Sequence, residues 1–297
     1  MIRRQKGFTL IELLVVIAII ALLMSILMPA LSHVKKQAQS VACMSRLKSW
    51  GLLFKLYTDD NNGYFNEGWG SAGHPQNAGK PGEYGLWMNA LRPYYRDEKM
   101  RLCPTATREV EAANDWGTFK AWYVDFPNRY PTGAETATKH FVGSYSGNNW
   151  TDYMAGDRGA RLKDWFWKNT QNLQTTNGGA VNGNEVPIFG DNTWHDAWPQ
   201  ATDTPVQYPF DYGWGDKGTT GEMNQFCIDR HNGWTNVVFM DWSVRHTGLK
   251  ELWTLRWNRN YNIHGGLDQS AGRDARRLAP VATKVQGLLR SPFLLNR

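Results

Sequence analysis

The sequence predicts an α+β protein: one long N-terminal helix, then a loop-rich head of short strands stapled together by aromatic side chains. Three observations carry this expectation. An apolar run from Phe8 to Leu31 continues into a stretch of 3–4 residue apolar spacing as far as Thr58. The chain of 297 residues holds 15 Trp and 29 Gly but only 20% charged residues. That composition suits a β or α+β domain, not a helical bundle or a disordered chain. Short strand-like segments bounded by turns recur along the head and end in the hairpin pattern NVVFMDWSVRH, Asn236–His246.

The helix comes first. Arg3, Arg4 and Lys6 precede Gly7, and only Glu12 and Ser25 interrupt Leu10–Met28 with a polar group. About 20 such residues span a bilayer as a helix. The basic end stays cytoplasmic and the body goes out. A carboxylate in hydrocarbon costs several kcal/mol unless paired, and nothing else in the run offers Glu12 a partner. Past the membrane, Leu31, Val34, Ala38, Ala42, Leu47, Leu52, Leu53 and Leu56 read as the apolar face. From Phe8 to Thr58 the rod is about 75 Å long at 1.5 Å per residue. Pro29 removes one helical hydrogen bond, so a kink or local melting is expected there. DDNNG, Asp59–Gly63, ends the helix. Asp59 and Asp60 do not begin an EF-hand, because the spacing lacks its Gly and closing Glu.

The head follows in order. Gly68–Gly85 is a Gly- and Asn-rich loop. LWMNALRPYY, Leu86–Tyr95, reads as a short helix closed by Pro93. KMRLCPT (Lys99–Thr105), SYSGNNW (Ser144–Trp150) and EVPIFGD (Glu185–Asp191) read as strands. The hairpin 236–246 turns near Asp241–Trp242, and ELWTLRW, Glu251–Trp257, closes the head as a short helix or strand. From Asp268 the chain is polar and basic, then apolar, and is expected to be flexible. This divides the chain into residues 1–7, a helix over 8–60 with its membrane part at 8–31, a head over 61–267 and a tail over 268–297.

The net charge of +6 comes from the first seven residues and the tail. The head is nearly neutral, so the high pI gives no basic nucleic-acid surface. The three cysteines, Cys43, Cys103 and Cys227, form no CxxC pair, so spacing does not support a zinc site.

KGFTLIE, Lys6–Glu12, resembles the cleavage motif of type IV pilins and type II secretion pseudopilins. The resemblance implies a type IV pilin fold, with the long helix packed on a small antiparallel sheet that carries long Trp-rich loops. It implies cleavage by a prepilin peptidase between Gly7 and Phe8 and methylation of the new amino terminus. Glu12 falls at the family's acid position and Pro29 where the family commonly has Pro. Glu12 then pairs with the ammonium of Phe8, preferentially that of the next chain, so assembly neutralises it. The implied partners are further copies of this chain or other pilins, the peptidase, and the inner membrane before assembly. The implied location is a single-pass inner-membrane precursor with its C-terminus out, then a periplasmic or cell-surface filament.

ACMSRLKSWGLLFKLYTDDNNGYF, LCPT and a His separated by nine residues from an Asp, His231 and Asp241, are similar to a planctomycete-like branch of prepilin-type proteins. Where that branch has Gly after the Asp, this chain has Trp242, which puts a positive-φ turn in question. An exported body makes one disulfide and one free thiol the simplest arithmetic. The branch implies Cys43–Cys103; Cys103–Cys227 and three free thiols are the alternatives. Because major pseudopilins bind calcium in a late loop, Asp191, Asn192 and Asp196 are the calcium candidates, and no other cofactor is expected.

No enzyme activity is expected. His195, Asp196, Asp191, Asp229, His231 and Asp241 are the residue types of a glycoside hydrolase, but no local motif joins a nucleophile to a base. WFW (Trp165–Trp167), WHDAW (Trp194–Trp198) and YGWGD (Tyr212–Asp216) could stack on sugar rings. That gives an alternative function: a membrane-anchored adhesive protein that binds polysaccharide. The competing reading is that these rings staple loops to the sheet.

Overall fold

A computed structural model describes residues 9–68, 86–111, 117–127, 138–152, 163–205 and 221–263. Gly7 and Phe8, nearly all of the loop 68–85, YGWGD and the tail 268–297 lie outside the described residues.

Helix α1 runs over Leu10–Asp60 without interruption, Pro29 included. At 1.5 Å per residue this is about 77 Å. The helix does not melt at Pro29 as expected. The chain stops where DDNNG says it should: Asn61 caps the helix, and Asn62 and Gly63 take positive φ of 54° and 83°.

Among the described residues the head contains two sheets. Strands β1 (Arg108–Glu109), β2 (Lys120–Pro127) and β3 (Thr138–Gly143) form a three-stranded sheet in that order. Strands β4 (Tyr145–Asn148), β5 (Pro187–Asp191), β6 (Asp196–Ala197), β7 (Trp234–Phe239) and β8 (Val244–Gly248) form the central sheet in the order β6-β4-β5-β7-β8. The central sheet is antiparallel except for the short β4–β6 edge pair. KMRLCPT is not a strand. It is a 3₁₀ turn over Glu98–Arg101 followed by an isolated Cys103–Ala106 bridge. Its carbonyls are used elsewhere: Met100 O accepts from the Trp50 indole at 2.8 Å and Arg101 O from Ser144 N at 2.8 Å. LWMNALRPYY holds helix α2 (Trp87–Ala90) and a 3₁₀ turn over Arg92–Tyr94, and ELWTLRW begins as a 3₁₀ turn over Glu251–Thr254.

The second half of α1 packs on β5, β7 and β8. The buried face is Cys43, Leu47, Trp50, Gly51, Phe54 and Thr58. Of the face read from the sequence, Leu47 is buried here and Leu53 packs half-buried against the same core, while Leu31, Val34, Leu52 and Leu56 are exposed. The stripe that meets the sheet uses aromatic and small residues where leucines suggested otherwise. Gly51 shows why. A Cβ there would lie 3.1 Å from Val238 Cγ1, so the helix backbone comes down close onto β7 at the cost of a mid-helix glycine.

Strand alternation divides the core between the two faces of the sheet. Val238 joins the cluster under α1 with Trp50, Trp87 and Phe189, while Val237 and Phe239 join Trp150, Trp198 and Trp253 on the far side. The buried indoles donate to backbone carbonyls: Trp87 to His195 O at 2.8 Å, Trp150 to Pro199 O at 2.8 Å, and Trp253 to Asp203 O at 2.7 Å. Each ring supplies apolar area and ties a chain segment down by its N–H.

The β7–β8 hairpin is as expected, and its turn does need a left-handed residue. Trp242 has φ of 67°. Its N–H donates to Phe239 O at 2.8 Å, and its ring packs against the helix-side core. That packing offsets a conformation that costs an L-residue about 1–2 kcal/mol.

On the far side, Asp203 Oδ2 accepts from Gln200 N at 2.9 Å and Met223 N at 2.8 Å. Burial pushes this carboxyl up to about 6 from an ordinary 3.8, against those two hydrogen bonds. The unfolded chain therefore loses this proton before the folded chain does. Stability from this group falls as pH rises from about 4 to about 6. Thermal unfolding should show this slope, and Asp203→Asn should remove it.

Candidate functional site

The first candidate is the exposed half of α1. Leu10, Ile11, Leu13, Ile17, Leu22 and Ile26 all face solvent, and this helix is long and apolar enough to cross a membrane. The one acid of this exposed half, Glu12, is not partnerless. Glu12 Oε2 accepts from Thr9 N at 2.9 Å and Thr9 Oγ1 at 2.8 Å, and Glu12 N donates to Thr9 Oγ1 at 3.3 Å. This is a capping box, T-x-x-E, which closes open donors at the helix start. The partner is not a charge but the Thr9 hydroxyl and amide three residues away. Within one chain Glu12 is thus hydrogen-bonded but not neutralised. Ser25, the other polar group, donates to Leu22 O at 2.7 Å, which makes it harmless in an apolar setting.

The second candidate lies inside the head. Cys43 projects from α1, Cys103 from the bridge after the 3₁₀ turn, Asp191 from the end of β5 and His231 from the loop before β7. Their sulfur, oxygen and nitrogen atoms all lie within 4.8 Å of one another, and all four residues are buried. Cys43 Sγ is 3.6 Å from both Asp191 oxygens. His231 Nε2 is 3.1 Å from Asp191 Oδ2 and 3.5 Å from Cys103 Sγ. Tyr145 OH donates to Cys43 Sγ at 3.4 Å. Arg230 locks the group: it reaches Asp191 Oδ1 at 3.0 Å, Ser144 O at 2.6 Å, Thr118 O at 2.7 Å and Asn192 O at 3.0 Å. The turn that aims Arg230 and His231 inward has Asn232 and Gly233 at φ of 59° and 93°, and Asp229 Oδ1 accepts from Gly233 N.

The electrostatics follow from burial against charge. Burial opposes ionisation of Asp191, but His231 and Arg230 outweigh it and hold the carboxyl well below its usual range. Burial lowers His231, but Asp191 and Cys103 hold it up at about 9. Burial pushes the Cys43 thiol up, with Cys103 and Asp191 adding to the shift. Burial also pushes Cys103 up, yet the hydrogen bonds to Cys43 and His231 and the Arg230 charge bring it below the ordinary thiol.

The sequence-derived residues are therefore regrouped. Cys43 and Cys103 come together, as free thiols. Cys227 is also free and lies in the far-side cluster. Of the calcium candidates, Asp191 faces Arg230 and His231; Asn192 Oδ1 accepts from Trp194 N at 2.7 Å; Asp196 Oδ2 accepts from Asn149 Nδ2 at 3.1 Å. Asp241 caps its own turn by accepting from Ser243 N at 3.0 Å and Ser243 Oγ at 2.6 Å. Of the hydrolase residue types, Asp191 meets His231 and His195 Nδ1 lies 3.5 Å from Asp196 Oδ1. His231 uses one nitrogen toward both Asp191 and Cys103, so it cannot relay a proton as a triad histidine does. The aromatic sugar candidates are largely inside: Phe166, Trp167 and Trp198 are buried, and Trp165 and Trp194 half-buried. Arg230 and Tyr145 were not picked out from the sequence. The dipeptide Arg230-His231 in a tight turn is the signal that could have found the first.

A long exposed apolar helix with a capped Glu12 at its start, joined to an α+β head, is an architecture consistent with the type IV pilin fold. Residues 2–28 match the family model of the prokaryotic N-terminal methylation motif. Over 62 residues the chain is 45% identical to the type IV wide pilus major component PilA4 of Thermus thermophilus. That match covers 21% of this chain and 47% of the relative, so the chain spans about half the length of the curated protein it matches. No solved structure matches the chain.

Proposed function

We propose that this chain is a structural subunit of a type IV pilus or a type II secretion pseudopilus. The observation that carries the reading is the solvent-facing apolar half of α1 with a single carboxylate, Glu12, one turn from the proposed cleavage point. A prepilin peptidase cuts between Gly7 and Phe8, which creates an ammonium at membrane depth. Within a monomer, Thr9 donates twice to Glu12 Oε2, which leaves the carboxylate hydrogen-bonded but its charge uncompensated. Docking against a second chain brings Glu12 to the partner's amino terminus and buries the apolar helix among others of its kind. The precursor spans the inner membrane once, with the head outside, and the filament forms from there. Electron microscopy of shed surface material, labelled with antibody against the head, tests this. Labelled filaments are expected; the chain found only as a membrane-bound monomer would count against assembly.

A further inference from the structure

We propose that Cys43, Cys103, Asp191 and His231 form a structural binding site for a thiophilic divalent cation of the zinc class. The donor set is two sulfurs, one imidazole nitrogen and one carboxylate oxygen, which suits zinc and not calcium, whose ligands are oxygens. The spacing also fits. Tetrahedral zinc, with bonds of about 2.3 Å to sulfur and about 2.0 Å to nitrogen or oxygen, sets edges of about 3.8 Å between sulfurs, about 3.5 Å from sulfur to nitrogen or oxygen, and about 3.3 Å from nitrogen to oxygen. Three of the six edges are 3.6 Å for Cys43–Asp191, 3.5 Å for Cys103–His231 and 3.1 Å for His231–Asp191, and the other three lie within 4.8 Å.

The charges balance as well. Two thiolates and one carboxylate are cancelled by a dication together with the Arg230 guanidinium, which is fully buried against Asp191. Binding releases to solvent the protons still on the two thiols and the proton that His231 carries beside Asp191, so His231 becomes neutral with Nε2 as its donor atom. The ligands come from α1, the bridge after the 3₁₀ turn, β5 and the loop before β7. An ion here ties the assembly helix to three separate parts of the head. Whether or not the chain forms filaments, this site stands on the head and the second half of α1.

The test uses the full chain in detergent, reduced and stripped with a chelator, then given Co²⁺ and Zn²⁺. One ion per chain should survive gel filtration, with sulfur-to-cobalt charge-transfer absorption that Zn²⁺ abolishes. Cys43→Ser and Cys103→Ser should each lose the band. His231→Cys should keep it, because a ligand is retained, and that separates ligation from folding. Cys227→Ser should bind as the parent does. Three results overturn the proposal: a folded, reduced chain that retains no ion; equal loss in Cys227→Ser; or a Cys43–Cys103 disulfide in chain isolated without reductant, mapped by mass spectrometry.

Discussion

Glu12→Ala is expected to remove filaments while leaving the head folded and the chain in the membrane. The carboxylate does two things that differ greatly in weight. In one chain it completes a capping box with Thr9, worth about 1 kcal/mol at the helix end. In the assembled state it meets the proposed ammonium of a neighbouring chain, and deleting one member of a buried ion pair costs about 3–5 kcal/mol. Each subunit contact would pay that cost, so filament yield should fall by at least about a hundredfold on the basis that 1.4 kcal/mol is a factor of ten. Quantitative immunoblotting of sheared filaments against membrane fractions measures it. The control is Thr9→Ala, which breaks the capping box alone and should retain most of the yield. Equal loss in both variants would place the role of Glu12 in the helix cap and not between subunits.

Asp191→Ala should produce the largest loss of head stability. Asp191 and Arg230 are both fully buried and 3.0 Å apart. Without the carboxylate, the guanidinium faces only the carbonyls of Thr118, Ser144 and Asn192, and an unpaired buried charge of this kind costs about 3–5 kcal/mol. The backbone N–H of Asn236, which donates to Asp191 Oδ2 at 3.0 Å, loses its acceptor too. Adding Arg230→Met to Asp191→Ala should recover part of the loss. Denaturant unfolding in the presence of chelator checks both variants. A double variant no more stable than Asp191→Ala would mean that the lost volume, and not the stranded charge, sets the cost.

The parts of the fold that could be read in advance are those with a strong local period. The helix, its stop at Asp59–Gly63, strand β5 and the hairpin 236–246 are of this kind. The face of α1 was misread because Leu52 and Leu56 look like core residues while Cys43, Gly51 and Thr58 do not; which side is buried depends on where β7 arrives. Strands β2 and β3 were not assigned at all. Ala121 and Trp122 are buried in succession, so β2 lacks the two-residue alternation that would mark it. The inner cluster shows the same limit at a site. Cys43, Cys103, Asp191 and His231 each attracted notice for separate reasons: a disulfide, a calcium loop, a family motif. They lie far apart in sequence, and no spacing rule joins them. Only the packing of α1 on the sheet brings them to one point. Trp242 runs the other way. Standing where the branch has Gly, it put a left-handed turn in question, yet the chain makes that turn with a residue that rarely adopts it.

The measurement that tests the account most directly is the mass of the amino-terminal peptide from chain recovered in filaments or, if none form, from the membrane. The account predicts a peptide beginning at Phe8, carrying one added methyl group on its amino nitrogen and no trace of residues 1–7. Assembled chain that retains an intact Met1 would contradict it, because Glu12 would then have no buried ammonium to meet.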